Sequence, residues 1–133
     1  ETMVNTLTDM VRRGADIAKL AVMPHTPADT ARLLEATAQA AQATGNDTPL
    51  ITMSMGQQGM VSRICGAAFG SCAGFATAGV SSAPGQPAAP ALRTALDALG
   101  AMLGCIVLKK QSPKCNFPLL GKRSPLCYPT DKR

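Results

Sequence analysis

Aromatic and metal-binding side chains are scarce in this chain of 133 residues, which has no tryptophan, one tyrosine, three phenylalanines and one histidine. Because proteins bind single-stranded nucleic acids largely by stacking bases on aromatic rings, this composition argues against a nucleic-acid partner. The five cysteines are an odd number, no two of them have CxxC spacing, and one histidine cannot complete a zinc site. We therefore expect no metal and no cofactor.

Membrane-spanning and targeting signals are also missing from the printed sequence. The apolar run Met102–Leu108 is far too short to cross a bilayer, and no signal peptide or lipidation motif is visible. We expect no membrane partner and a reducing, cytoplasmic setting. The chain opens at Glu1 without a methionine and inside a helical pattern, which suggests a piece of a longer protein.

Charge divides the chain into two unlike regions. Residues 1–101 contain six Arg/Lys against seven Asp/Glu, whereas residues 102–133 contain seven against one. We interpret 1–101 as the main domain and 102–133 as a basic tail with cysteines and prolines, expected to be disordered or non-native. Basic tails can bind polyanions, but this tail offers only Phe117 and Tyr128 for stacking.

The body of the chain alternates between helical and strand patterns. Apolar residues at helical spacing precede Gly14, which is typical of a helix end. Buried strands are predicted at Ile17–Met23, Pro49–Met55 and, more weakly, Ala73–Ala78. The intervening helices are predicted at Pro27–Thr44, Gln57–Phe69 and Pro90–Leu99.

This alternation predicts an α/β fold with right-handed βα units and a parallel sheet. A parallel sheet of about three strands leaves both edges unpaired, so we predict the C-terminal part of a (β/α)8 TIM barrel, in incomplete form. A homodimer is one assembly that would cover these edges. A doubly wound sheet is the alternative, but neither GxGxxG nor GxxxxGK[ST] occurs to support it.

Lys19 is the first candidate for chemistry, because it is the only lysine among residues 1–108 and lies inside an apolar strand pattern. Burial would penalise the ammonium and favour the neutral amine, the form that attacks a ketone to give a Schiff base. The alternative is a lysine on an edge strand whose side chain extends into water.

Several short motifs along residues 1–100 together resemble the type I 3-dehydroquinate dehydratases, which are Schiff-base enzymes. The matching segments, in order, are Ala18-Lys19-Leu20-Ala21-Val22-Met23-Pro24, Thr52-Met53-Ser54-Met55-Gly56, Gly59, Ser62-Arg63, Phe69-Gly70 and Ser82-Ala83-Pro84-Gly85-Gln86. The lysine strand, the Met-Ser-Met strand with its arginine, and the Ser-Ala-Pro-Gly-Gln loop are specific as a combination.

The resemblance implies a substrate, 3-dehydroquinate, and a role for each matching residue. Lys19 would form the imine with the ring ketone, and Arg63 would bind the carboxylate through its two-pronged guanidinium. The resemblance further assigns polar substrate contacts to Ser82 and Gln86 and a pocket lining to Met53, Met55 and Phe75.

The chain also departs from the family pattern. The family's general acid/base is a histidine on an earlier strand, and no such stretch is present; His25 is expected to be a loop residue instead. Residues 102–133 have no counterpart in the family. Three hypotheses follow: a truncated dehydratase with impaired activity, another class I aldolase-like barrel, or a non-catalytic fragment that needs a complementary partner.

Overall fold

Helices and parallel strands alternate in the structure, a computed structural model that describes residues 1–103. The elements, in chain order, are α1 (Thr2–Arg12), β1 (Ala18–Val22), α2 (Pro27–Ala43), β2 (Leu50–Ser54), a 3-10 turn (Gln57–Gly59), α3 (Met60–Cys65), a second 3-10 turn (Gly66–Phe69) and α4 (Ala89–Leu103). The tail predicted from residue 102 therefore lies almost wholly outside the described residues.

The end of α1 is set by Gly14, as the sequence predicts. Gly14 has a φ of +87°, and its N–H donates to the carbonyl of Val11 at 2.9 Å. The N–H of Ala15 reaches back to the carbonyl of Met10 at 3.1 Å. This pair of bonds is the Schellman arrangement, in which a glycine accepts the left-handed conformation without strain.

The start of α2 is also confirmed, with Pro27 in its first turn and Thr26 before it. The Asp29 carboxylate accepts hydrogen bonds from the backbone N–H groups of Thr26 at 2.9 Å and His25 at 3.0 Å. A carboxylate in this place satisfies donors that a helix start leaves without partners.

The two strands pair in parallel, with Ala18 opposite Leu50 and Val22 opposite Ser54. Because side chains alternate across a strand, each strand has two sides. The helix-facing side packs against α1 and α2, and its apolar core consists of Leu7, Ala18, Ala40, Ala41 and Leu50. We call the opposite side, formed by Lys19, Ala21, Ile51 and Met53, the site-facing side.

The free edge of β2 is covered by side-chain hydroxyls rather than by a third strand. The N–H of Ser54 donates to Ser62 Oγ at 2.8 Å, and the N–H of Thr52 donates to Ser71 Oγ at 3.0 Å. Only an isolated bridge joins Leu50 to Ser71. The predicted strand Ala73–Ala78 is wrong: this segment makes only an isolated bridge from Thr77 to Ala88. Four of its six residues are Ala or Gly, which have low strand propensity.

Two further expectations need correction. The segment Gln57–Phe69 is not one helix but a short α-helix between two 3-10 turns. Lys19 is exposed rather than buried, because only the helix-facing side of β1 is covered by other elements of the described chain. The alternative of a side chain that reaches water from an edge strand describes Lys19 correctly.

Candidate active site

The carboxyl ends of β1 and β2 lie side by side, and Arg63, Ser82 and Gln86 follow the end of β2 along the chain, whereas Lys19 lies nearer the start of β1, opposite Ile51. In parallel sheets of the barrel type, functional groups lie at this end of the strands and in the loops that follow. The N–H of Met55 donates to the carbonyl of Val22 at 2.8 Å, which extends the pairing just beyond the strands. The segment that leads to Arg63 thus starts from a pair of hydrogen-bonded strand ends.

Lys19 is held by an aromatic ring. Its Nζ lies 4.8 Å from the centroid of the Phe75 ring, within the range of a cation–π interaction. No ion pair forms at Lys19 among the described residues, in which three salt bridges join other side chains. The ammonium therefore has a ring as its neighbour, and no carboxylate.

Arg63 lies on α3 and is only 6% exposed. Its Nη1 donates to the carbonyl of Phe75 and its Nη2 to the carbonyl of Pro84, both at 3.3 Å, while the buried Nε has no partner. Burial lowers the pKa of the guanidinium, although arginine remains charged at neutral pH. Long bonds and one unsatisfied donor are the features of a cation that an anionic ligand would satisfy better.

A loop closed at its base carries Ser82 and Gln86. The N–H of Thr77 donates to the carbonyl of Pro87, and the N–H of Ala89 donates to that of Thr77, both at 2.8 Å. Within the loop, Gln86 Oε1 accepts from the backbone N–H of Ser82 at 3.0 Å and from its Oγ at 3.1 Å. Both predicted polar residues are brought together, and here they bind each other.

The same loop is fastened to the end of β2 through backbone groups. The N–H of Gly56 donates to the carbonyl of Pro84 at 3.0 Å, the same carbonyl that Arg63 contacts. Gly85 has a φ of +68°, and a Cβ there would overlap the carbonyl oxygen of Gly56. Sequence reasoning missed this anchor; its only signal was the pair of glycines that make the close approach possible.

The remaining candidate residues differ in how exposed their side chains are. Met53 is 6% exposed and Met55 is half-buried, whereas the Phe75 side chain is 41% exposed. His25 is exposed and precedes α2, as expected of a loop residue. The three pocket-lining assignments stay predictions, because proximity to the strand ends does not by itself show a ligand contact.

Residues 1–103 show neither a metal cluster nor a spanning helix. No three His, Cys, Asp or Glu side chains within this range come close enough to hold a metal ion. None of its helices has both the length and the apolar character needed to cross a membrane.

Comparisons with known proteins show the family. The type I 3-dehydroquinase family matches residues 1–102. The chain is 53% identical over 97 residues to a 3-dehydroquinate dehydratase of Lactiplantibacillus plantarum, covering 73% of this chain and 38% of that protein. A 3-dehydroquinate dehydratase of Neisseria gonorrhoeae is 48% identical over 99 residues, which cover 74% and 38% of the two chains.

Solved structures give the same result. The 3-dehydroquinate dehydratase of Geobacillus kaustophilus superposes with a TM-score of 0.72 at 44% identity, over 75% of this chain and 38% of that one. The type I enzyme of Clostridium difficile, solved with covalently modified comenic acid, gives 0.70 at 42% identity, over 76% and 39%.

The parallel strands, the βα order and these superpositions together define a segment of a (β/α)8 barrel. The chain belongs to the type I 3-dehydroquinase family. It spans about two fifths of the length of the curated relatives that it matches.

Proposed function

We propose that this chain supplies the imine-forming and carboxylate-binding part of a 3-dehydroquinate dehydratase site, a hydro-lyase of the shikimate pathway. The observation that carries the proposal is the placement of two cations around one residue. Lys19 Nζ lies over the Phe75 ring, and Arg63 Nη1 contacts the Phe75 carbonyl. Neither cation forms an ion pair with a described residue, so an anionic ligand would supply the missing negative charge.

The chemistry follows from a ketone and a carboxylate on one small ring. The neutral amine of Lys19 adds to the ketone carbon, and loss of water gives an iminium. The iminium withdraws electrons from the neighbouring C–H bond, and a base removes that proton to give an enamine. The enamine electron pair then expels the β-hydroxyl, which takes a proton from the protonated base and leaves as a second water. Hydrolysis of the iminium consumes one water, releases 3-dehydroshikimate and regenerates Lys19.

Arg63 fits the binding role better than the catalytic one. Its guanidinium is buried and permanently charged, and two of its donors engage only backbone carbonyls. The unpartnered Nε and the remaining N–H groups of the guanidinium would donate charge-assisted bonds to a carboxylate while the two backbone bonds stay in place. Ser82 and Gln86 would contact the substrate's hydroxyls by giving up their mutual hydrogen bond.

The proton-transfer step needs groups that residues 1–133 do not supply at a matching position. The family's histidine would come from an earlier strand, either in a longer protein or in a complementary chain. A homodimer and a cytoplasmic location remain predictions of the same proposal. The aldolase-like alternative is not favoured, because the family match extends through the Ser-Ala-Pro-Gly-Gln loop.

Reductive trapping tests the imine. The chain is incubated with 3-dehydroquinate and borohydride, which reduces an imine to a stable secondary amine, and the modified lysine is located by mass spectrometry. We expect the adduct at Lys19 and none in a Lys19→Arg variant. An adduct at Lys109 or Lys110 in place of Lys19 would overturn the assignment.

Turnover measurements test whether the proton-transfer groups must come from outside these 133 residues. Because a general acid/base contributes a factor of about 10²–10⁴, these 133 residues alone should be nearly inactive. Addition of the N-terminal portion of a family member should restore dehydration. Rapid turnover by the chain alone would contradict the proposal and would bring His25 into consideration as the base.

A further inference from the structure

Phe75 contacts both cations of the site through different groups. Its ring faces Lys19 Nζ at 4.8 Å, and its carbonyl oxygen accepts from Arg63 Nη1 at 3.3 Å. We propose that Phe75 is a positioning residue that couples Lys19 to Arg63, so that the ketone and the carboxylate of one substrate are engaged together. The inference rests on the proposed function and adds to it a residue that controls selection for a carboxylate-bearing ketone.

The backbone that precedes Phe75 is fixed at the free edge of β2. The N–H of Cys72 donates to the carbonyl of Leu50 at 2.7 Å, and Ser71 Oγ donates to the carbonyl of Ala73 at 3.2 Å. The segment that leads to Phe75 is therefore tied to the start of β2. The Phe75 carbonyl that contacts Arg63 follows directly on this hydrogen-bonded backbone, whereas the Phe75 ring takes no part in these bonds.

The ring itself contributes little to the core, since Phe75 is 41% exposed and lies outside the apolar core cluster. A phenyl face carries partial negative charge and attracts a nearby cation. The ammonium of unreacted Lys19 and the iminium of its adduct are both cations at this place, so the ring stabilises both. A pocket-lining apolar contact with substrate would require none of this geometry.

The first experiment measures the ring contact without substrate. The lysines are reductively dimethylated with ¹³C-formaldehyde, which preserves their positive charge, and the Lys19 methyl signal is assigned by its loss in Lys19→Arg. A ring face shields nuclei above it, so we expect this signal upfield of dimethylated free lysine. The signal should move to the free-lysine position in Phe75→Leu, stay upfield in Phe75→Tyr, and remain unchanged in the control Phe69→Leu.

The second experiment measures the coupling to Arg63. Borohydride trapping at Lys19 is compared for 3-dehydroquinate and for a hydroxylated cyclohexanone without a carboxylate, and the ratio of the two rates is taken. The ratio cancels any change in amine availability, which affects both ketones equally. Because an exposed cation–π interaction is weak, we expect Phe75→Leu to lower the ratio about two- to fivefold and Phe75→Tyr to preserve it.

A double substitution separates coupling from simple loss of a contact. If Phe75 acts by aligning Lys19 with Arg63, then Phe75→Leu should have little further effect on the ratio once Arg63→Ala is present. Equal effects of Phe75→Leu in both backgrounds, or a Lys19 signal at the free-lysine position in the unsubstituted chain, would overturn the inference. Absence of any Lys19 adduct in the unsubstituted chain would instead overturn the proposed function, while the NMR result would still decide whether the ring holds Lys19.

Discussion

The helix-facing and site-facing sides of the short sheet satisfy their polar groups in different ways. On the helix-facing side, Thr52 Oγ1 and Thr37 Oγ1 lie 2.8 Å apart, and Ser54 Oγ and Thr30 Oγ1 lie 2.9 Å apart, all of them buried. On the site-facing side, Lys19 is exposed and its Nζ lies over the face of the Phe75 ring. Direct, short bonds thus fix the scaffold, and weaker contacts hold the charged groups.

The hydroxyl pairs have a definite direction. Thr37 Oγ1 donates its single hydrogen to the carbonyl of Leu33 at 2.7 Å, so Thr52 must be the donor in the pair with Thr37. Each of these four buried hydroxyls has a hydrogen-bond partner, whereas the buried Arg63 Nε has none among the described residues. The unsatisfied donor thus lies at the site, where a ligand can bind it, while the polar groups of the scaffold are already paired. Preorganisation for a ligand requires this arrangement.

The largest expected effect is the loss of the scaffold in Gly59→Ala. A Cβ at Gly59 would overlap the carbonyl of Ser54 at the end of β2, and backbone cannot move aside cheaply. The 3-10 turn would have to leave the strand and break the bond from Ser54 N–H to Ser62 Oγ. We expect a loss of about 3–4 kcal/mol in unfolding free energy, at the upper end for one substitution, measured by urea denaturation.

The matched control is Gly79→Ala, because a Cβ at Gly79 has no atom within 4 Å and its backbone is not left-handed. It should leave the denaturation midpoint unchanged. Equal midpoints for both variants would mean that Gly59 does not lie against the Ser54 carbonyl as the structure describes.

On the site-facing side, the largest expected effect is on ligand binding by Arg63. A charge-assisted bond to a buried group is worth about 1.5–3 kcal/mol, so Arg63→Ala should weaken 3-dehydroquinate binding about tenfold to a hundredfold. Arg63→Lys should also bind poorly, since an ammonium lacks the two-pronged geometry. Calorimetric titration measures both, with Arg93→Ala, an exposed arginine paired to Asp97, as the control. Unchanged affinity in both Arg63 variants would exclude the carboxylate role.

The hydroxyl pairs should show a smaller, non-additive effect. Thr37→Val keeps the side-chain shape but leaves the buried Thr52 hydroxyl without its acceptor, at a cost of about 1–3 kcal/mol in unfolding free energy. Thr37→Val combined with Thr52→Val removes both partners and should recover most of that loss. Additive losses in the double variant would show that the two hydroxyls do not depend on each other.

The strands and the long helix were predictable because their signals are local. Apolar runs bounded by Pro24 and Pro49 gave β1 and β2 to within one residue at each end, and Thr26-Pro27 gave the start of α2. The third strand failed because a segment rich in small residues has no strong preference of its own. There the hydroxyls of Ser62 and Ser71 occupy the edge that a strand would have paired with.

The site was predictable in its residues but not in its contacts. Motifs identified Lys19 and Arg63, yet a strand pattern cannot tell which side of a sheet is covered, so the expected burial of Lys19 was wrong. The anchors at the Phe75 and Pro84 carbonyls are backbone groups, which every residue carries and no motif marks. The motifs identified Phe75 only as a pocket-lining residue. They do not show that its ring contacts Lys19 or that its backbone carbonyl contacts Arg63.

The anchor of the loop can be tested with little effect on the scaffold. Gly85→Ala places a Cβ against the Gly56 carbonyl and imposes a left-handed conformation on alanine. We expect the loop to leave β2 and the Gly56 amide to exchange with solvent faster, since its bond to the Pro84 carbonyl is lost. Exchange is followed by NMR, and the urea midpoint should change far less than in Gly59→Ala. An unchanged Gly56 exchange rate would contradict the anchor.

The smallest expected effect is the pH dependence of the α2 start. Hydrogen bonds from the Thr26 backbone, the Thr26 side chain and the His25 backbone lower the pKa of Asp29 below its ordinary value of 3.8. A carboxyl with a lowered folded-state pKa stabilises the fold above its unfolded-state pKa, and this stabilisation is lost as the pH falls through the folded-state value. Asp29→Asn should therefore lower the thermal midpoint slightly at pH 7, and the difference should shrink as the pH falls below about 4. Glu35→Gln, an exposed carboxylate later in α2, serves as the control. A difference between Asp29→Asn and the unsubstituted chain that stays constant from pH 7 to pH 3 would show that the charge of Asp29 does not stabilise the start of the helix.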